Sequence, residues 1–164
     1  MKEIVGKSVQ AGIAIASIKV YKRAGEIVNR CKITDANSEI ARVDEAIEIT
    51  VNQLQDLYDK ALETVGEDSA AIFEVHQMML QDEDYVDSIK NIIENEQVNA
   101  EYAVSITGDN FAEMFASMDD EYMQARSADV KDISTRLVKV LSGAKDTDMA
   151  EITDKVILLA DDLS

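Results

Sequence analysis

Residues 67–85 read EDSAAIFEVHQMMLQDEDY. The segment is apolar, with acid at both ends. Glu67 and Asp68 lead in, and Asp82, Glu83 and Asp84 lead out. Between them lie Ile72, Phe73, Val75, Met78, Met79 and Leu80, with the sole histidine of the chain, His76, in the middle. On a helix these apolar residues exceed a single core face. Ile72, Val75, Met79 and Val86 follow the core spacing, and Phe73, Met78 and His76 fall around its edge. One reading is a wide core stripe with solvated ends. The other is a soft, Met-containing surface ringed by carboxylates, suited to docking a basic protein.

The same period runs outward on both sides. Ile40, Val43, Ile47, Val51, Leu54, Leu57, Ala61 and Val65 step by three or four, after a polar cluster at Thr34–Ser38 from which Ser38 or a neighbour can cap. Gly66 ends that helix, as a residue free to take positive φ. A second helix starts near Asp68 or Ser69 and runs through Ile89, Ile92 and Ile93, with residues 81–84 able to break it in two. Asn99 can cap a third, which bears Tyr102, Ile106, Met114, Phe115 and Met118, and whose middle Gly108 weakens by about 1 kcal/mol relative to alanine. Asp119 or Asp120 can cap a fourth, with Tyr122, Ala125, Val130, Ile133, Leu137 and Val140 inward and Gly143 closing it. Short connections make antiparallel neighbours, so residues 35–143 are predicted to form an antiparallel four-helix bundle.

Both flanks change period. In residues 1–34, Gly6 and Gly12 punctuate two runs. Ile13, Ile15, Ile18 and Val20 supply β-branched residues in near-alternation, and a short strand fits residues 27–33. In residues 144–164, a polar loop and a helical turn precede Lys155–Ala160, KVILLA, which reads as a buried strand. The expected fold is therefore mainly α with flanking α/β, the bundle being inserted into an α/β unit. That unit is expected to be incomplete, cut short at Ser164.

Charge narrows the partners. The chain of 164 residues carries 33 acidic and 16 basic side chains, a net charge of −17. Phosphate backbones and anionic membranes would be repelled, so no nucleic acid and no membrane insertion are expected, while basic proteins are attracted. Cys31 is the one cysteine, which excludes an intrachain disulfide. No apolar run approaches the roughly 20 residues of a membrane helix, and Lys7, Ser8 and Gln10 interrupt any signal-peptide core, so a cytoplasmic protein is expected.

Catalytic chemistry finds little to stand on. A di-metal carboxylate bundle needs Glu-x-x-His twice. Glu74-Val75-His76 instead puts its carboxylate and imidazole about 200° apart, and there is no second histidine. No nucleophile elbow or phosphate loop appears. An isolated His76 reads as a surface or hydrogen-bonded structural residue rather than a catalyst, and its position among Phe73, Met79 and the acids suits partner contact. Arg126 reaches Asp129 at i+3, or a carboxylate of a neighbouring helix; an exposed pair of this kind contributes about 0.2–1 kcal/mol.

AIFEVHQMMLQDED at 71–84 and MDDEYMQARSADVKDISTRL at 118–137 resemble the amino-terminal region of the Enzyme I family, phosphoenolpyruvate–protein phosphotransferases of bacterial sugar uptake. AGIAIASIKVY at 11–21 and DKVILLADDLS at 154–164 fit the same region, although Ala11-Gly12 replaces the family's Pro-Gly. The resemblance implies a helical subdomain that docks the carrier protein HPr, set in an α/β phosphohistidine subdomain. It places the docking surface on Glu67, Asp68, Ile72, Phe73, His76, Met79, Asp82, Glu83 and Asp84, with Arg126 beside it. It implies no catalytic residue and no cofactor here. The phosphorylated histidine of a Gly-Gly-x-Thr-Ser-His motif, and a carboxy-terminal phosphoenolpyruvate-binding barrel with its Mg²⁺, would belong to the rest of the enzyme, so this piece alone is expected to be inactive. Specialised phosphotransferases of nitrogen regulation or dihydroxyacetone phosphorylation are the alternatives within the family. A non-enzymatic acidic helical scaffold is the alternative outside it.

Overall fold

The computed structural model describes residues 15–21, 28–143 and 155–160. In chain order these form β1 (Ser17–Tyr21), α1 (Ala36–Thr64), α2 (Glu67–Leu80), α3 (Glu83–Glu96), α4 (Ala100–Ala116), α5 (Glu121–Ser142) and β2 (Val156–Ala160). Two compact units result, Met1–Glu26 with Thr147–Ser164 and Ile27–Asp146. The predicted first β run and the loop and helical turn after 143 lie outside the described residues.

The predicted break at 81–84 is present, so the second periodic segment is two helices. Asp82 makes it. Its Oδ1 accepts the backbone N–H groups of Asp84 at 3.1 Å and Tyr85 at 3.2 Å, starting a new helix. Glu83 and Asp84 then occupy the first turn of α3, where carboxylates complement the helix dipole. Asp35 caps α1 by accepting from Ser38 N–H, and Asp120 caps α5 by accepting from Tyr122 and Met123 N–H. Gly66, at φ +93°, joins α1 to α2 and stands at the N-cap of α2, so that helix begins at Glu67, just ahead of the predicted start at Asp68 or Ser69.

Asn99 holds the N-cap position of α4 but caps nothing with its side chain. Its Oδ1 accepts Cys31 N–H at 2.8 Å, and the first N–H of α4, from Ala100, goes to Glu39 of α1 at 2.9 Å. The predicted strand at 27–33 is thus a short extended pairing. Lys32 bridges Val98 in antiparallel fashion, flanked by Ile33 N–H to the Gln97 carbonyl and Asn99 N–H to the Cys31 carbonyl. Arg42 gathers the same end of the unit, donating to Glu39, Glu101 and the Leu141 carbonyl. Burial works to raise the Glu101 pKa, but hydrogen bonds from its own backbone, Asn99 and Arg42 hold it below the usual carboxylate range.

The core of the helical unit is made by Leu54, Leu80, Tyr85, Ile89, Ile93, Val104, Val130, Ile133 and Leu137. Gly108 is central to it rather than merely weakening α4. A Cβ there would lie 2.3 Å from Ser134 Oγ and 2.6 Å from Ser134 Cβ, so glycine is what lets α4 approach α5. Ser134 Oγ donates to the Val130 carbonyl and shares a 2.7 Å hydrogen bond with the Tyr85 hydroxyl. Burial pushes the Tyr85 pKa up to about 12, against the lowering effect of Ser134. On α5 two residues predicted inward are not: Tyr122 is 65% exposed, and Ala125 is exposed. They lie in the first turns of α5, before the buried run that starts at Val130.

In the other unit, β1 and β2 pair in parallel, with Ser17 opposite Val156 and Tyr21 opposite Ala160. β2 was expected to be buried, yet Leu159 is 58% exposed, and Ile18 on β1 is 67% exposed. Among the described residues the sheet has two strands.

Candidate functional site

The flank of α2 differs in phase from the sequence prediction. Ala70 and Leu80 are fully buried, and Phe73 and Met79 pack against the core from half-buried positions. Ile72, expected on the core stripe, is 37% exposed, and Met78 is 60% exposed. The prediction took its phase from a helix continuing to Val86. The cap at Asp82 ends α2 first, so that residue cannot set the phase of Ile72. The large apolar side chains of α2 left exposed are therefore Ile72 and Met78, while Phe73 and Met79 pack partly buried against the core.

The five acids form two groups at helix starts. Glu67 and Asp68 are exposed in the first turn of α2, and Glu83 and Asp84 are exposed in the first turn of α3. Asp82 lends its Oδ1 to the cap, leaving Oδ2 outside those bonds. The length of α2, about 21 Å for fourteen residues, separates the two groups. That span exceeds the screening length of about 8 Å at physiological salt, so each group attracts cations on its own. Asp84 also borders an open groove lined by Asp87, Ser88, Asn91, Glu96 and Asn110, with a lining that repels anions.

Arg126 and His76 are brought together by a residue outside the predicted site. Arg126 Nη1 donates to Asp129 Oδ2 at 2.8 Å, and Nη2 donates to the Tyr122 hydroxyl. The guanidinium also lies over the Tyr122 ring, 4.5 Å from its centroid. Burial acts to lower the Arg126 pKa, but its bonds to Asp129 and Tyr122 raise it overall. From α2, His76 Nε2 lies 3.5 Å from Asp129 Oδ1. The pair read from i+3 spacing is therefore not an exposed one; both side chains are 17% accessible. Asp129 was legible as a partner of Arg126, but its approach to His76 was not.

His76 Nε2 is buried and makes no hydrogen bond to protein. Among the described residues, no group of three or more His, Cys, Asp or Glu side chains is arranged to hold a metal ion. No described helix is long and apolar enough to cross a membrane.

The sequence model of the family described as "PEP-utilising enzyme, N-terminal" matches residues 5–126. The chain belongs to this family. The phosphoenolpyruvate-protein phosphotransferase of Bacillus subtilis (strain 168) is 36% identical over 164 residues, which are 100% of this chain and 29% of that protein. The protein of the same name from Priestia megaterium is 36% identical over 163 residues, covering 99% and 28%. The chain thus spans less than a third of the curated relatives it matches. Among solved structures, an NMR structure of Enzyme I (nEIt) superimposes with a TM-score of 0.79 at 30% identity, over 94% of this chain and 63% of that one. The N-terminal domain of Enzyme 1 - Nitrogen gives 0.74 at 27% identity, over 93% and 63%. These agree with the resemblance drawn from the helical motifs.

Proposed function

We propose that this chain is the HPr-docking part of a phosphoenolpyruvate–protein phosphotransferase, which in its full length phosphorylates HPr on histidine in cytoplasmic sugar uptake. The observation that carries this reading is the flank of α2. Exposed Ile72 and Met78 stand between two acidic helix starts, with Arg126 held on α5. A basic carrier with an apolar patch would cover Ile72 and Met78 and present Lys or Arg to Glu67, Asp68, Glu83, Asp84 and Oδ2 of Asp82. His76, Phe73 and Met79 would support that contact.

The phosphoryl chemistry is assigned to other parts of the enzyme. No Gly-Gly-x-Thr-Ser-His sequence occurs in these 164 residues. The reading places Mg²⁺ in the carboxy-terminal barrel, and no step here runs through it. The test is binding of purified HPr to the full chain at low and high salt, with phosphoenolpyruvate and Mg²⁺ added in a separate reaction. Salt-sensitive binding with no phosphohistidine on this chain is expected. Phosphate on His76, or no HPr binding at low salt, overturns the reading.

A further inference from the structure

Asp129 lies where α5 meets α2, and its two oxygens face different helices. Oδ2 accepts from Arg126 of α5 at 2.8 Å, and Oδ1 faces His76 Nε2 of α2 at 3.5 Å. The His76, Asp129 and Arg126 side chains are 12%, 17% and 17% accessible. Arg126 is clasped along its own helix, by Asp129 at i+3 and Tyr122 at i−4. A long side chain ordered in advance loses less freedom when a partner arrives, which favours slow release. The approach of His76 to Asp129 is a contact at ion-pair range rather than a formed hydrogen bond, and it is the one described contact between Asp129 and α2.

We propose that Asp129 is a positioning residue for the docking surface: it holds Arg126 and His76 in one arrangement, keeping the α5 and α2 halves of the surface in register without touching the carrier. This rests on the reading that HPr docks across α2 and Arg126. A carboxylate that merely attracted a basic carrier would act on the association rate. A residue that positions others acts on dissociation, and it acts through them.

The experiment measures HPr association and dissociation rates for the full chain and for Asp129→Ala, Arg126→Ala and their combination, each checked for helicity. Asp129→Ala is expected to raise the dissociation rate about tenfold, equivalent to about 1.4 kcal/mol. Its association rate should stay within about twofold, since steering belongs to the exposed acids. Adding Arg126→Ala should change little more. Asp129→Asn, which keeps size and an acceptor, should recover part of the loss and serves if the alanine variant misfolds. Additive effects, or a loss confined to association, overturn the proposal. A second arm needs no carrier. Denaturation midpoints of His76→Ala, Asp129→Ala and the double variant should be non-additive, and strict additivity removes the tie. Wild type that fails to bind HPr overturns the docking reading and this role with it. The carrier-free arm then shows whether that failure leaves the tie between helices intact.

Discussion

The seam between α4 and α5 and the outer flank of α2 are built on opposite terms. Six of the seventeen residues of α4 are buried, most of them small: Ala100, Ala103, Gly108 and Ala112 with Val104 and Thr107. Only Ala70 and Leu80 of the fourteen residues of α2 are. The seam gains stability from close backbone approach, which tolerates no added atom at Gly108. The flank keeps Ile72 and Met78 in solvent and spends its acids on helix starts. The comparison teaches that rigidity and recognition are divided between helices. A firm seam allows a thinly buried helix to carry an exposed apolar surface without the unit collapsing onto it.

The strongest way to break the comparison is at the seam. Gly108→Ala should destabilise the chain by about 1–3 kcal/mol through overpacking against Ser134, despite the helix propensity that alanine adds. A urea midpoint at or above wild type would show that the helices are not held by close approach.

The polar end of the helical unit comes next. Arg42→Ala should cost about 1 kcal/mol, the value of a charged hydrogen bond reduced because Arg42 is 40% exposed. The pH dependence follows from Glu101, whose folded pKa is depressed. Its contribution is present above the ordinary value of 4.5 and is lost as pH falls through the lower folded value. Urea midpoints measured downward from pH 6 should therefore fall less steeply in Arg42→Ala than in wild type. Parallel profiles would remove Glu101 from the account.

The flank is tested by charge without disturbing a cap. Glu83→Gln with Asp84→Asn leaves Asp82 to start α3, and should lower the HPr on-rate several-fold at about 0.05 M salt while changing it little at 1 M. An unchanged low-salt on-rate, in a variant of wild-type helicity, would place the docking surface elsewhere. The smallest stability effect is expected at Met78→Ala, within about 0.5 kcal/mol, because Met78 is 60% exposed. A larger loss would mean that the flank contributes to the core, and the division between the two regions would fail.

The sequence by itself determined the helical unit and its punctuation. Asp35, Gly66, Asp82, Asp120 and Gly143 mark their turns in local backbone chemistry, which needs no distant partner. It also determined the acidic character of 67–84 and the i+3 pairing of Arg126 with Asp129, since both reside in neighbouring residues. Tertiary structure decided the rest. Periodicity measures how wide an apolar stripe is, but not which part of it turns inward, so Ile72 and Tyr122 were placed inside and are outside. Gly108 reads locally as a weakness and becomes the contact point of two helices only when Ser134 arrives against it. His76 and Asp129 belong to different helices, so only the packing of α2 beside α5 brings that imidazole and carboxylate to 3.5 Å.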